Sequence, residues 1–208
     1  MKAQTKESQL ALNQNQIIDI LKQGNIRFVE NQKLNRNLQQ QVEETSEGQF
    51  PFATVLSCID SRIPVETIFD QGIGDLFSVR IAGNFINDDI LGSMEFACKL
   101  AGSKVLVVLG HTACGAVKGA CDGAELGKLT GMLDKIKPAV KAVSNPVEAS
   151  KRTSANLDFV NEVAVKNVSF SIDDIRSGSE VLAEMESNGE IQIVGAMYDV
   201  ATGKVAFL

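Results

Sequence analysis

The chain has 208 residues, 44% of them hydrophobic and 22% charged, enough for one domain with a large core. A net charge of −6 with scattered acidic residues offers no basic face to nucleic acid. The longest apolar run, 105–109, is far too short to span a bilayer, and the polar first sixteen residues lack the apolar stretch of a secretory leader. A soluble, cytoplasmic protein is expected.

Residues 1–14 read as a loose polar lead. Ile17, Leu21, Gly24 and Phe28 then fall at helical spacing, with Ile18 and Val29 alongside, and predict an amphipathic helix of roughly 15–20 residues. Residues 31–48, rich in Asn, Gln and Glu, read as a surface connection. From residue 52 the pattern alternates between strand and helix. Strands are expected at 52–57, 76–81 and 105–109, the last fully apolar, as suits a strand covered on both faces. Pro64 suits the first turn of a short helix over 64–70, and Asn87 with Asp88 and Asp89 can cap a helix running to about Leu100 and stopped by Gly102. Another helix follows His111. Leu129 through Val143 predict one more, ending before Pro146; Leu157 to Val168 predict a further helix and Val181 to Met185 a short one. The chain closes on a hairpin, 191–198 and 204–208, around Ala201-Thr202-Gly203. The succession argues for an α/β fold: a mainly parallel central sheet flanked by helices, with an N-terminal helical arm and a C-terminal strand hairpin. Residues 1–48 would form the arm and linker, and 49–208 the α/β domain.

Four cysteines (Cys58, Cys98, Cys114, Cys121) are too few for a disulfide scaffold of this size and read as buried thiols, metal ligands or catalytic groups. His111 is the only histidine, which excludes any site needing two from one chain. The first strand runs into Cys58-Ile59-Asp60-Ser61-Arg62 and the third into Gly110-His111-Thr112-Ala113-Cys114-Gly115. Ligands gather at the carboxyl ends of strands in open α/β sheets. Two strand ends would thus bring Cys58, Asp60, His111 and Cys114 toward one crevice. Two thiolates, an imidazole and a carboxylate suit a tetrahedral zinc ion. Either motif alone is weak: a histidine at a helix start is often a satisfied core residue, and Cys58 could be a buried thiol beside a surface ion pair. Cys98, within an amphipathic helix, reads as an inert core thiol. Cys121 is the rival ligand, but two helical turns, about 10 Å, separate it from Cys114. The Gly110–Lys118 stretch lacks the Gly-Lys-Ser/Thr ending of a phosphate loop.

From about Gly24 onward the chain resembles the β-class carbonic anhydrases. The resemblance rests on Cys58–Arg62, on Gly74-Asp75-Leu76-Phe77 through Arg80 and Ala82-Gly83-Asn84, and on Gly110–Gly115, in the family's order and spacing. It implies that Cys58, His111 and Cys114 hold one zinc ion per subunit and that Asp60 and Arg62 form a catalytic dyad. It also implies that Gln49, Phe77 and Ala82 contact the substrate. Phe96 stands where plant-type members carry a tyrosine. The implied reaction is reversible hydration of carbon dioxide to bicarbonate and a proton, by a zinc-bound hydroxide that Asp60 orients. In some members this aspartate closes onto the zinc as a fourth ligand, often together with a tryptophan-lined bicarbonate site. This chain has no tryptophan, so the open form is expected at neutral pH. Family members are dimers or multiples of dimers with the N-terminal helix lying across the partner, so a homodimer or tetramer is expected. Carbon disulfide or carbonyl sulfide hydrolysis on the same scaffold, and a non-catalytic zinc protein, are the alternatives; the second would fit loss of a ligand or dyad residue, and none is lost.

Overall fold

The computed structural model describes residues 2–208. Helices α1 (Lys6–Ala11), α2 (Gln14–Val29) and α3 (Leu38–Glu44) precede strand β1 (Ala53–Ser57), the short α4 (Val65–Ile68) and β2 (Leu76–Arg80). Helix α5 (Asp88–Glu95) continues into a π-helical turn, Phe96–Leu100, before β3 (Val105–His111). Then come α6 (Gly115–Asp122), α7 (Gly127–Asp134), α8 (Lys137–Ala142), the 22-residue α9 (Leu157–Gly178) and α10 (Glu180–Ser187). Strands β4 (Gln192–Tyr198) and β5 (Val205–Phe207) close the chain.

The sheet order is β2-β1-β3-β4-β5, parallel except for the antiparallel β4–β5 pair. Every residue of β1 and β3 is buried, because helices cover both faces of the sheet's centre. Helix α9 lies on one face, where a side chain at Gly195 would run into Val168 and Ile172. Helix α2 covers the other, with Ile17 and Leu21 fully buried in the same core as the strands. Burial of each such side chain contributes roughly 1.5–3 kcal/mol. Gly24 lets α2 approach α4, since a Cβ there would fall 1.8 Å from the Phe69 carbonyl oxygen.

Four departures from the sequence reading have local causes. The expected loose lead contains α1, closed at its start by a capping box between Thr5 and Ser8; its first residue lies outside the described residues. Gln9 ties α1 down by donating to the carbonyls of Pro51 and Ala101, and Lys104 donates to those of Gln9, Leu10 and Leu12. The 31–48 connection contains α3, capped by Asn37. The single helix expected across Leu129–Val143 is two, because α7 ends at Asp134 and Pro138 sits in the first turn of a new helix. Helix α9 runs ten residues beyond Val168 to Gly178.

Candidate metal centre

Cys58 follows the carboxyl end of β1, His111 ends the neighbouring β3, and Cys114 caps α6. Their ligand atoms all lie within 4.8 Å of one another, and all three side chains are buried. His111 Nδ1 stands 2.9 Å from the Thr112 carbonyl oxygen. A carbonyl only accepts, so Nδ1 carries the ring hydrogen and Nε2 presents its lone pair. That Nε2 is buried and has no hydrogen-bond partner within the chain. An orphaned imidazole lone pair facing two thiols is what a thiophilic cation such as zinc requires, so the residues fit the metal.

The two sulfurs are not equivalent. Its neighbour Cys114, with His111 and the Gly83 amide, holds the Cys58 thiol below the ordinary thiol range, against burial. Its neighbour Cys58 and burial push the Cys114 thiol up, against the Val117 and Ala116 amides at the start of α6. A bound dication favours two thiolates at such a site. The Gly83 amide donates to Cys58 Sγ at 3.3 Å from a left-handed backbone, φ 79°. A side chain there would fall 2.4 Å from Ile136 Cδ1, so glycine is needed for both reasons.

Asp60 and Arg62 flank this group at the surface. Asp60 Oδ1 accepts from the Arg62 amide at 3.0 Å and from Nε at 2.9 Å, and Oδ2 accepts from Nη2 at 2.7 Å. The Arg62 guanidinium is the main reason the Asp60 carboxyl lies well below the usual carboxylate range. The Asp60 carboxylate faces Arg62 and is not part of the metal-capable trio.

Arg80, for which the sequence suggested no role of its own, pins the same loop. Its Nε donates to the Cys58 carbonyl at 3.0 Å and its Nη2 to the Asp60 carbonyl at 2.6 Å. Helix α9 supplies three more supports. Asn161 accepts from the amide of Ala113, which has a left-handed φ of 55° between the two ligands of the second motif. Asn167 donates to the Gly83 carbonyl and Ser171 to that of Asn84. These partners lie 48 to 87 residues away in sequence, and no local spacing signals them.

The remaining candidates are placed as follows. Ala82 is half-buried and adjoins Gly83, beside the metal-capable group. Phe77 and Phe96 meet edge to face, centroids 6.2 Å apart, in a groove they share with Arg80 along β2. Phe77 pairs with Thr54, four residues ahead of Cys58, about 13 Å along the strand. Gln49 is exposed in the segment before β1. Cys121 stands outside the trio, and burial pushes its thiol up to about 11. Cys98 is buried and pushed up to about 12, the inert thiol expected of it.

The family model described as carbonic anhydrase matches residues 53–205. A carbonic anhydrase of Mycolicibacterium smegmatis is 34% identical over 187 residues, covering 89% of this chain and 88% of that one. The crystal structure of the β-carbonic anhydrase CafA of Aspergillus fumigatus superposes with a TM-score of 0.69 at 28% identity, covering 80% of this chain and 79% of the other. A tetrameric β-carbonic anhydrase of Sordaria macrospora gives a TM-score of 0.67 at 25% identity, covering 78% and 83%. Two strand-end motifs, the sheet that aligns them and these matches together place the chain in the β-carbonic anhydrase family.

Proposed function

We infer that the protein catalyses reversible hydration of carbon dioxide to bicarbonate and a proton, with one zinc ion per subunit held by Cys58, His111 and Cys114. The observation that carries this reading is the buried, partnerless Nε2 of His111 facing two thiols beside an ionised Asp60–Arg62 pair. When bound, zinc supplies a Lewis acid that brings water toward ionisation near neutral pH. The protein's own groups then divide the work. Arg62 keeps Asp60 ionised and fixes its plane with three donors. Oδ1 takes two of them and Oδ2 only one, which leaves Oδ2 the acceptor capacity to take the O–H of the attacking nucleophile and aim its lone pair. While Arg62 holds both carboxylate oxygens, Asp60 is kept from serving as a fourth ligand, so the open form is the working one. Ala82 forms part of the apolar wall beside Cys58.

Phe77, Phe96 and Gln49 lie too far back along β2 and β1 to reach the metal group of their own chain. We assign them to the substrate side of a second copy's centre, in a homodimer formed along the β2 edge. The tetrameric Sordaria relative supports a homo-oligomer. Residues 49–208 carry the catalytic groups, and 1–48 supply the N-terminal helices, of which α2 packs into the sheet's own core.

Stopped-flow hydration of carbon dioxide by the zinc-loaded protein tests the reading. Wild type should accelerate the reaction, and Asp60→Asn should reduce kcat on the order of 10²-fold. A zinc-loaded wild type no faster than buffer would overturn it.

A further inference from the structure

In a parallel pair, alternate residues of one strand bond through both amide and carbonyl to the neighbouring strand. Between β3 and β4 this register is fixed at both ends: the Gln192 amide donates to the Lys104 carbonyl and the Thr112 amide to that of Tyr198, each at 3.0 Å. Val200 is the next residue of β4's bonded set after Tyr198, and the same register sends its amide to the Thr112 carbonyl. The amide goes elsewhere. It donates to the Thr112 hydroxyl oxygen, Oγ1, at 3.0 Å. The Thr112 carbonyl instead meets His111 Nδ1 at 2.9 Å. The side chain of Thr112 thus takes the ladder bond that its own main chain gives up.

The donor is itself held in place. Asp199 closes the turn around Val200, its amide donating to the Lys204 carbonyl and its Oδ1 accepting from the Ala201 and Thr202 amides. Asn25, buried in α2, clamps the far side of that turn. Its Nδ2 donates to the Gly203 carbonyl at 2.9 Å, and its Oδ1 accepts from the Val205 amide at 2.8 Å. We propose that the Thr112 hydroxyl is a positioning group for the metal ligand His111. By accepting the Val200 amide it leaves the Thr112 carbonyl to hold Nδ1–H, which aims Nε2 at Cys58 and Cys114. This rests on the metal reading of those three residues; Thr112 itself is outside the ligand set. Serine in its place preserves the exchange of acceptors. Valine, of the same shape without the oxygen, leaves the Val200 amide to compete for the carbonyl.

His111 is the only histidine, so protein without a histidine tag, grown on nitrogen-labelled histidine, gives the NMR signals of one ring. In the zinc-loaded wild type the Nδ1 proton should exchange slowly with water, and the Val200 amide should be protected from deuterium. Thr112→Val should speed exchange of the Nδ1 proton about tenfold or more. It should also weaken zinc about 10–100-fold in competition with a chelator, with circular dichroism unchanged. Thr112→Ser should restore both. A Thr112→Val protein matching wild type in zinc affinity and ring-proton exchange would overturn the proposal. So would a Thr112→Ser protein as impaired as Thr112→Val, which would assign the effect to the methyl group. If Thr112→Val fails to fold, the wild type still decides: a Val200 amide that exchanges as freely as an unbonded one, or a fast-exchanging Nδ1 proton, would overturn it. No zinc uptake by the wild type would overturn the metal reading together with this one, whereas wild-type zinc affinity in Thr112→Val would overturn this one alone.

Discussion

His111 supplies all the imidazole chemistry in this chain, and both of its ring nitrogens are committed. Nδ1 donates to a carbonyl and Nε2 points into the metal-capable group. No second imidazole is left to carry a proton outward, so in the proposed reaction the proton would pass to buffer or to surface carboxylates. Turnover in stopped flow should therefore rise with the concentration of an imidazole buffer before levelling off; a rate independent of buffer would reveal an internal carrier. The choice among cysteines is equally checkable. Cys114→Ser should lower the zinc-to-chain ratio measured by atomic absorption, and Cys121→Ser should leave it unchanged. Cys58, His111 and Cys114 were legible in the sequence because each sits where an apolar strand stops and a short polar motif begins. Arg80 was not, because its task depends on β2 lying beside β1 with Arg80 opposite Ser57, a register that only the folded sheet creates.

At the scale of elements, α9 organises the site without contributing a ligand. Along three turns it presents Asn161, Asn167 and Ser171 to the loops that carry Cys114 and the Cys58 amide donor. Ala113 holds a left-handed backbone with a side chain attached, and the Asn161 carboxamide offsets that strain by accepting its amide hydrogen. Asn161→Ala should lower zinc affinity about 10–100-fold in competition with a chelator. Unchanged affinity would confine Asn161 to packing. The apolar pattern predicted α9, but its hydrogen-bonding face consists of ordinary polar residues that match any solvated helix. The strands were legible from short stretches rich in apolar and β-branched residues, unbroken at 105–109. The short α1 and α3 were not, since each is capped and held by distant partners but has no long amphipathic period of its own. The division between α7 and α8 was readable in Pro138, which the continuing apolar spacing masked.

At the scale of the whole molecule, Asp70 ties the N-terminal helices to the sheet. Its carboxylate takes Arg27 Nε and Arg36 Nη1, both at 2.6 Å, and the Leu34 amide at 3.2 Å. Burial alone would raise its pKa, but the two guanidinium groups and that amide outweigh burial and hold it below the ordinary value. A lowered folded pKa contributes stability above the unfolded value, about 4, and loses it as pH falls through the folded one. Asp70→Asn should cost about 3–5 kcal/mol in urea unfolding at neutral pH, a penalty that shrinks below about pH 4. A penalty constant across that range would assign the loss to packing. Leu21→Ala in α2 should cost about 2–5 kcal/mol at any pH, since α2 belongs to the sheet's own core. The fold thus sets the metal-capable group at the carboxyl ends of β1 and β3, with Asp60 drawn aside by Arg62, and the proposed function turns on that arrangement. Zinc-edge X-ray absorption at pH near 8 tests it most directly. Two sulfur ligands, one nitrogen and one oxygen that exchanges with solvent are expected. Two sulfurs, one nitrogen and a carboxylate oxygen with no exchangeable partner would contradict it.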